Sequence, residues 1–442
     1  MKKMICLLFF LLITSNSLTQ NLSKVYLLSE GGFNPGTSKL SMLDATTNIF
    51  TEDIFSPGQL GLYPDGIIFH EDHLYITEQG NFGGSGKIYK VDTTGMVINS
   101  ALVGTNPYSL AIANNKIYIT NGPASNVSVL NLGDFSFVKT IPVGVYPQEI
   151  ISFNDKIFVA NTSLYGGASD STISVIDPST DSVITSIVVK LDPSSFAVSN
   201  DNLLFIGCPG NVNDGEIFKV DAATYQVVDS YSFTNYGFSK DIVPDKMSDN
   251  VYFISYENHI VKYNLMSGDI SIVVTSVYPA NFYYGYNYDY LNKTHYILDA
   301  KDFVVSGELV IYDSTGTSVE NFTAGIAPRR VLLKYNNMPN SVSEEYVISS
   351  YMLEQNYPNP FNPSTKVRFT ISDFPAGSGT GRFTILKVYD VLGNEVKTLI
   401  EREMPAGVYE VEFDASGLNS GIYFYTLSAG NYVVTKKMIL MK

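Results

Sequence analysis

Between Lys24 and Tyr335 the chain repeats a pattern of four short β-rich runs, and a repeat of that size leaves few folds available. The unit is clearest at Asn106 to Gly144, which reads NPYSLAIANN, KIYITNGPASN, VSVLNLGD and FSFVKTIPVG. Each run is rich in β-branched and aromatic residues and is closed by turn residues, so each unit predicts one four-stranded antiparallel blade of a propeller. The next unit, YPQEIISFND, KIFVANTSLYGGASDST, ISVIDPSTD and SVITSIVVK, repeats it.

Two markers count the blades. An Asp or Asn opens the turn after the third strand at Asp44, Asp92, Asn131, Asp177, Asp221, Asn264 and Asp313, at intervals of 48, 39, 46, 44, 43 and 49 residues. The side chain of such a residue bonds the backbone two positions on, which is why the turn selects it. A proline opens the first strand at Pro64, Pro107, Pro147, Pro193, Pro279 and Pro328, with Gly237 in the fifth place. Both markers give seven blades. Lys24 to Phe50 supplies strands two to four of a blade without its first strand, and Arg329 to Tyr335 (RRVLLKY) supplies the missing one. A blade shared by the two ends closes the ring, whereas an open solenoid would leave two unpaired edges.

Strings such as KIFVANTSLYGGASDSTISVIDPSTDSVITSI resemble the YVTN-repeat, YncE-like surface propellers, over about Asn21 to Asn337. Units five and six depart from the pattern: TNYGFSKDIVPDKMSDNVYFIS lacks the opening proline, and YPANFYYGYNYDYLNKTHYILDA is unusually aromatic.

Residues 1–20 carry Lys2 and Lys3, the apolar run Ile5 to Ile13 and then small polar residues, the layout of a secretory signal peptide. The run is too short to cross a bilayer, and no later stretch reaches the length a membrane helix needs, so no transmembrane segment is expected. Residues 338–352 read as a linker. From 353 to 442 six or seven short strands, among them RFTILKVYD, GVYEVEFD and GIYFYTLS, predict an immunoglobulin-like β-sandwich. The fold class is therefore all-β, a seven-bladed β-propeller over 21–337 followed by a small sandwich. NYPNPFNPST, VYDVLGNEV, FDASGLNSGIYFY and the ending KKMILMK resemble the type A C-terminal sorting domain of type IX secretion. The resemblance implies recognition by the outer-membrane translocon through residues 353–442, and release from or attachment to the outer surface of a Gram-negative cell.

Removing the leader leaves Cys208 as the single cysteine, so no internal disulfide is available and burial must stabilise the fold. The net charge is −15. Nine basic and nine acidic residues fall from Tyr351 onward and two lysines in the leader, which leaves 17 basic against 34 acidic between them. Such a surface repels phosphate backbones and anionic headgroups, which argues against nucleic acid and membrane-surface partners. Cations, cationic groups and neutral polymers remain open as partners, and so does an acidic surface that serves only solubility.

Propeller geometry directs any extracellular ligand or protein to the face where the loops between second and third strands meet the blade connections, around the channel. The residues just after each opening proline belong there: Asp65, Tyr108, Gln148, Glu149, Ser194, Asn281, Arg329 and Arg330. Arg329 and Arg330 stand out in an acidic domain, and ion pairs with neighbouring blades are their expected role. His70 and His73 have HxxH spacing on the hairpin FHEDHL but lack a visible third ligand, so the reading there is a solvated turn. NFGGSGK at Asn81 to Lys87 joins two strands instead of leading into a helix, which makes it a flexible loop and not a phosphate cradle. No cofactor is expected; calcium is the one cation for which the sequence offers a loop, at Gly210 to Glu216 (Asn211, Asn213, Asp214), which lacks the alternating acids of an EF-hand. The reading is a ligand-binding or protein-interaction scaffold. The alternative is a propeller enzyme, lactonase- or lyase-like, acting on an extracellular small molecule or glycan.

Overall fold

The computed structural model describes residues 21–57, 60–163, 167–210, 214–233, 236–277, 280–336, 352–353, 356, 358–371, 382–404, 407–429 and 432–441. The expected signal peptide and nearly all of the linker lie outside them. Seven four-stranded antiparallel sheets follow one another. Their inner strands are Pro64–His70, Pro107–Ala113, Pro147–Phe153, Ser195–Val198, Phe238–Pro244, Tyr283–Asp289 and Pro328–Asn336, and we number the blades 1 to 7 in that order.

Blade 7 closes the ring. Its inner strand Pro328–Asn336 pairs antiparallel with Asn21–Ser29, with Leu332 opposite Tyr26 and Val331 opposite Leu27. The expected joining of the two ends is therefore present, and it removes the pair of free edges an open array would leave.

The core lies between blades. The second strands Lys116–Asn121 and Lys156–Asn161 are buried on both faces after their first residue, because each is covered by the sheets on either side. Tyr75 and Ile88 of blade 1 pack with Leu110, Ile117 and Ile119 of blade 2. At the closure, Val25 and Leu27 of blade 7 pack with Leu298 and Leu309 of blade 6. This explains the near-continuous apolar runs KIYIT and KIFVA, which a one-sided sheet would break with alternating polar residues. The outermost strands have one open side, and Phe137–Pro142 is exposed at all but Ile141.

The Asx turns form as expected in six blades, for example Thr46 N to Asp44 Oδ1 at 3.0 Å and Thr315 N to Asp313 Oδ1 at 2.9 Å. Asn131 is the exception. Its turn is longer, its side chain bonds the Ser136 hydroxyl, and Asp134 makes the local bond to Ser136 N.

The C-terminal segment forms a β-sandwich. One sheet contains Met352–Leu353, Ser364–Ile371 and Gly407–Asp414; the other runs Glu395–Met404, Arg382–Tyr389, Gly421–Ala429, Tyr432–Leu440. Val367, Phe369 and Phe413 from the first meet Leu386, Val388, Tyr425 and Leu427 from the second. The proline-rich NYPNPFNPST string is tied to this core through Asn356, whose amide donates to Thr365 Oγ1 at 3.0 Å, and whose backbone N–H donates to Tyr425 at 2.8 Å.

Candidate functional site

The inner strand of a blade is irregular near its start, and that irregularity builds the site. Pro64 pairs with Glu78 and Ile67 with Ile76, so Asp65 and Gly66 share one partner residue. The same step occurs between Pro107 and Leu110 and between Pro147 and Ile150, and in blade 6 the single residue Tyr284 is inserted between Tyr283 and Gly285, whose partners Asp299 and Leu298 are adjacent. A bulge re-aims the side chain it carries. Here it turns the residues after the strand start toward the channel. In blades 1 and 2 a threonine of the second strand accommodates the bulge: Gly66 N donates to Thr77 Oγ1 at 2.9 Å, and Ser109 N donates to Thr120 Oγ1 at 3.0 Å. Each hydroxyl then donates to the next blade, to the Tyr108 carbonyl at 2.5 Å and the Gln148 carbonyl at 2.6 Å.

All seven blades contribute to one cavity of about 450 Å³ at the channel mouth. Of the eight residues named from the sequence, Asp65, Tyr108, Gln148, Glu149, Ser194, Arg329 and Arg330 line it, and Asn281 does not. Asn281 precedes the inner strand of blade 6 and donates its amide to Asp299 at 2.7 Å. Tyr283, which pairs with Asp299 as Pro64 pairs with Glu78, holds the place of the opening residue, so Tyr284 faces the cavity. In blade 5 the corresponding residue is Phe238, paired with Ser255, and Ser239 and Lys240 follow into the lining. Glu30 and Gln79 also line it. Of the six lining residues not named from the sequence, Glu30 and Gln79 each stand just after a second strand, in SEGG and TEQGN, Tyr63 stands just before Pro64, Ser239 and Lys240 follow a marker that lost its proline, and Tyr284 follows Tyr283.

The charges are organised. Arg330 binds Asp65 of blade 1, with Nη2 to Oδ1 at 2.9 Å, and also Glu149 of blade 3. Arg329 uses Nη1 to reach Asp241 of blade 5 at 3.1 Å and the Tyr284 carbonyl at 3.1 Å. The expected ion pair with a neighbouring blade forms for Arg330 and Asp65, whereas Arg329 pairs with blade 5 and Arg330 also with blade 3, neither of them adjacent to blade 7, because the side chains reach across the channel. Burial opposes the Arg330 charge, and Glu149 and Asp65 outweigh it, so its pKa stands well above the ordinary guanidinium value. Tyr284 donates its hydroxyl to both Glu30 oxygens, at 3.0 and 3.2 Å. Burial and then the neighbouring Asp65 push the Glu30 carboxyl up to about 7. Lys240 lies with its ammonium 4.7 Å from the centre of the Tyr284 ring and 5.5 Å from that of Phe282. Burial, then the repulsion of Arg329, pushes it down to about 8. Tyr108 of the lining shares a hydrogen bond with Tyr146, their hydroxyls 3.0 Å apart.

The other sequence candidates lie elsewhere. His70 and His73 face each other across their hairpin, and both Nδ1 atoms are buried without a hydrogen-bond partner among the described residues, so these rings are half-covered instead of freely solvated. His295 is buried, shares a 2.9 Å hydrogen bond with Tyr286, and is pushed by burial down to about 4. His259 accepts from Ser276 N at 3.1 Å. Burial raises the Cys208 thiol to about 12, which holds it in the unreactive protonated form. The NFGGSGK loop is tied by Asn106, which accepts from Gly83 N at 2.6 Å and donates to Asn81 O at 2.9 Å. Asn211 and Asn213 of the calcium reading lie outside the described residues. Its acids Asp214 and Glu216 stand 3.4 and 3.5 Å from Lys190. Among the described residues no three His, Cys, Asp or Glu side chains gather as a metal site.

Fold and cavity define a seven-bladed propeller with a polar, multi-blade channel mouth, followed by a separate β-sandwich. The chain belongs to the YNCE-like β-propeller family, which it matches over residues 91–369, and residues 355–441 match the secretion system C-terminal sorting domain. The protein is therefore a type IX secretion substrate, extracellular or on the cell surface. No curated relative matches the chain. Among solved structures it is similar to a quinonprotein alcohol dehydrogenase-like protein from Bacteroides thetaiotaomicron, with 15% identity over 72% of this chain and 79% of that one, and a TM-score of 0.56. A candidate 6-phosphogluconolactonase from Bacteroides fragilis is 14% identical over 71% of this chain and 98% of its own, with a TM-score of 0.53. A chain of Kuenenia stuttgartiensis hydrazine synthase is 18% identical over 60% and 88%, with a TM-score of 0.51. At these identities the likeness is one of fold.

Proposed function

We propose that this secreted propeller is a binding module that captures a small polar ligand at its channel mouth. The observation that carries the reading is the single cavity of about 450 Å³ to which every blade sends at least one polar side chain. Its volume is that of a small-molecule site, and two ionisable groups in it, Glu30 and Lys240, are shifted in opposite directions by burial. The blades differ at equivalent positions, so the ring is an asymmetric site able to hold one ligand in one orientation. The sandwich is the address that brings the module outside.

The test is a thermal-shift and calorimetric screen of the full chain against extracellular sugars, sugar acids, amino acids and organic acids. At least one compound is expected to bind stoichiometrically, and Gln148→Trp, which fills the cavity, to abolish that binding. Binding unaffected by this substitution would place the site elsewhere. Chemical turnover of a bound compound, abolished in the same variant, would replace the binding module with an enzyme.

A further inference from the structure

We propose that the ligand of the channel mouth is a small monoanion, an organic carboxylate, held between Lys240 and Arg329; the inference rests on the binding reading above. The chain's net charge of −15 would suggest otherwise. Hydrogen-bond accounting decides the matter differently. The carboxylates are occupied: Asp65 and Glu149 by Arg330, Asp241 by Arg329, and Glu30 by the Tyr284 hydroxyl. Among the described residues, the one charged side chain of the lining left without any hydrogen-bond partner is a donor. Lys240 lies over the Phe282 and Tyr284 rings and has no hydrogen-bond acceptor among the described residues. Arg329 bonds through Nη1 alone among those residues, which leaves Nε and Nη2 open. The Ser194 hydroxyl, also in the lining, is buried without a partner among them.

Placing two cations together is unfavourable unless an anion lies between them. Lys240 and Arg329 both pack on the Tyr284 ring, at 4.7 and 5.4 Å, and Arg329 is the largest charge acting against Lys240. The groups facing Lys240 are Arg329, Arg330, Asp241 and Glu30. With Glu30 protonated, the three cations Lys240, Arg329 and Arg330 balance Asp65, Glu149 and Asp241. A neutral ring of charges accepts one negative charge more readily than two, which selects a carboxylate over a phosphate ester. A carboxylate also fits the fork of a guanidinium. Protonated Glu30 adds another donor, so affinity should weaken as pH rises through about 7, where Glu30 ionises, and about 8, where Lys240 loses its proton.

The experiment compares gluconate, glucose and glucose 6-phosphate as probes by calorimetry on the full chain and on Lys240→Met, Lys240→Arg and Gln148→Trp. Gluconate is expected to bind at least tenfold more tightly than the other two, to lose at least tenfold in Lys240→Met and to recover most of that in Lys240→Arg. Acetylation of Lys240 by an amine-reactive ester, read by mass spectrometry, should slow at least threefold with gluconate and not with glucose. This second readout does not depend on a variant folding. If glucose binds as well as gluconate, is lost in Gln148→Trp and is indifferent to Lys240→Met, the anion inference fails and the binding module stands. Protection of Lys240 by neither probe also overturns the inference. Failure of the whole screen to yield a ligand sensitive to Gln148→Trp removes both.

Discussion

Replacing Arg330 with methionine removes the positive charge that joins three blades. In the parent, Arg330 from blade 7 neutralises Asp65 of blade 1 and Glu149 of blade 3 across the channel. The variant keeps the length and apolar stem of the side chain, so the loss reports charge and hydrogen bonding. Breaking a buried ion pair by removing one partner costs about 3–5 kcal/mol. The three side chains retain 20%, 10% and 18% of their exposure, so solvent screens part of the imbalance. We expect a loss of about 2–3 kcal/mol at pH 7. For a domain of roughly 300 residues this lowers the melting temperature by about 3–5 °C. Urea unfolding followed by tyrosine fluorescence measures it, since the chain has 31 tyrosines and no tryptophan. A loss below about 1 kcal/mol at pH 7 would refute the view of Arg330 as the electrostatic hub.

Glu30→Gln tests the raised carboxyl. Its folded pKa of about 7 exceeds the ordinary 4.5, so the parent's stability is fullest below about pH 4.5 and declines as pH rises to about 7; the neutral variant should gain on the parent across that window, and equal stability of the two at pH 4 and pH 8 would contradict it. Thr120→Val leaves the Ser109 N–H and the Gln148 carbonyl unpaired between blades 2 and 3, and chemical denaturation should show a loss of about 2 kcal/mol. A Cβ at Gly285 would overlap the Arg329 carbonyl oxygen, so Gly285→Ala should both lower the melting temperature and weaken gluconate binding, whereas unchanged binding would mean that Arg329 takes no part. Deleting residues 353–442 should strand the propeller in the periplasm, read by cell fractionation, because the sorting domain is lost.

The repeat by itself determined the architecture. Blade count, the Asx turns and closure through RRVLLKY were all legible, because each depends on local pattern: short β-rich runs, turn residues at recurring places and a missing strand at one end found at the other. The sorting domain was legible for the same reason, from several motifs in order. The channel-facing residues were legible wherever a proline marked the strand start, which found seven of the lining residues. The marker failed where tertiary packing had replaced it. Phe238 and Tyr283 take the proline's position in blades 5 and 6, so Lys240 and Tyr284 went unseen and Asn281 stood in for them. Only the closed ring decided which charges meet, because Arg330 reaches Glu149 from 181 residues away and Tyr284 reaches Glu30 from 254. Net charge is a sum over the chain, while a site depends on which donors and acceptors remain unpaired after folding; at this channel mouth the Lys240 ammonium has no hydrogen-bond partner among the described residues, although the chain is acidic.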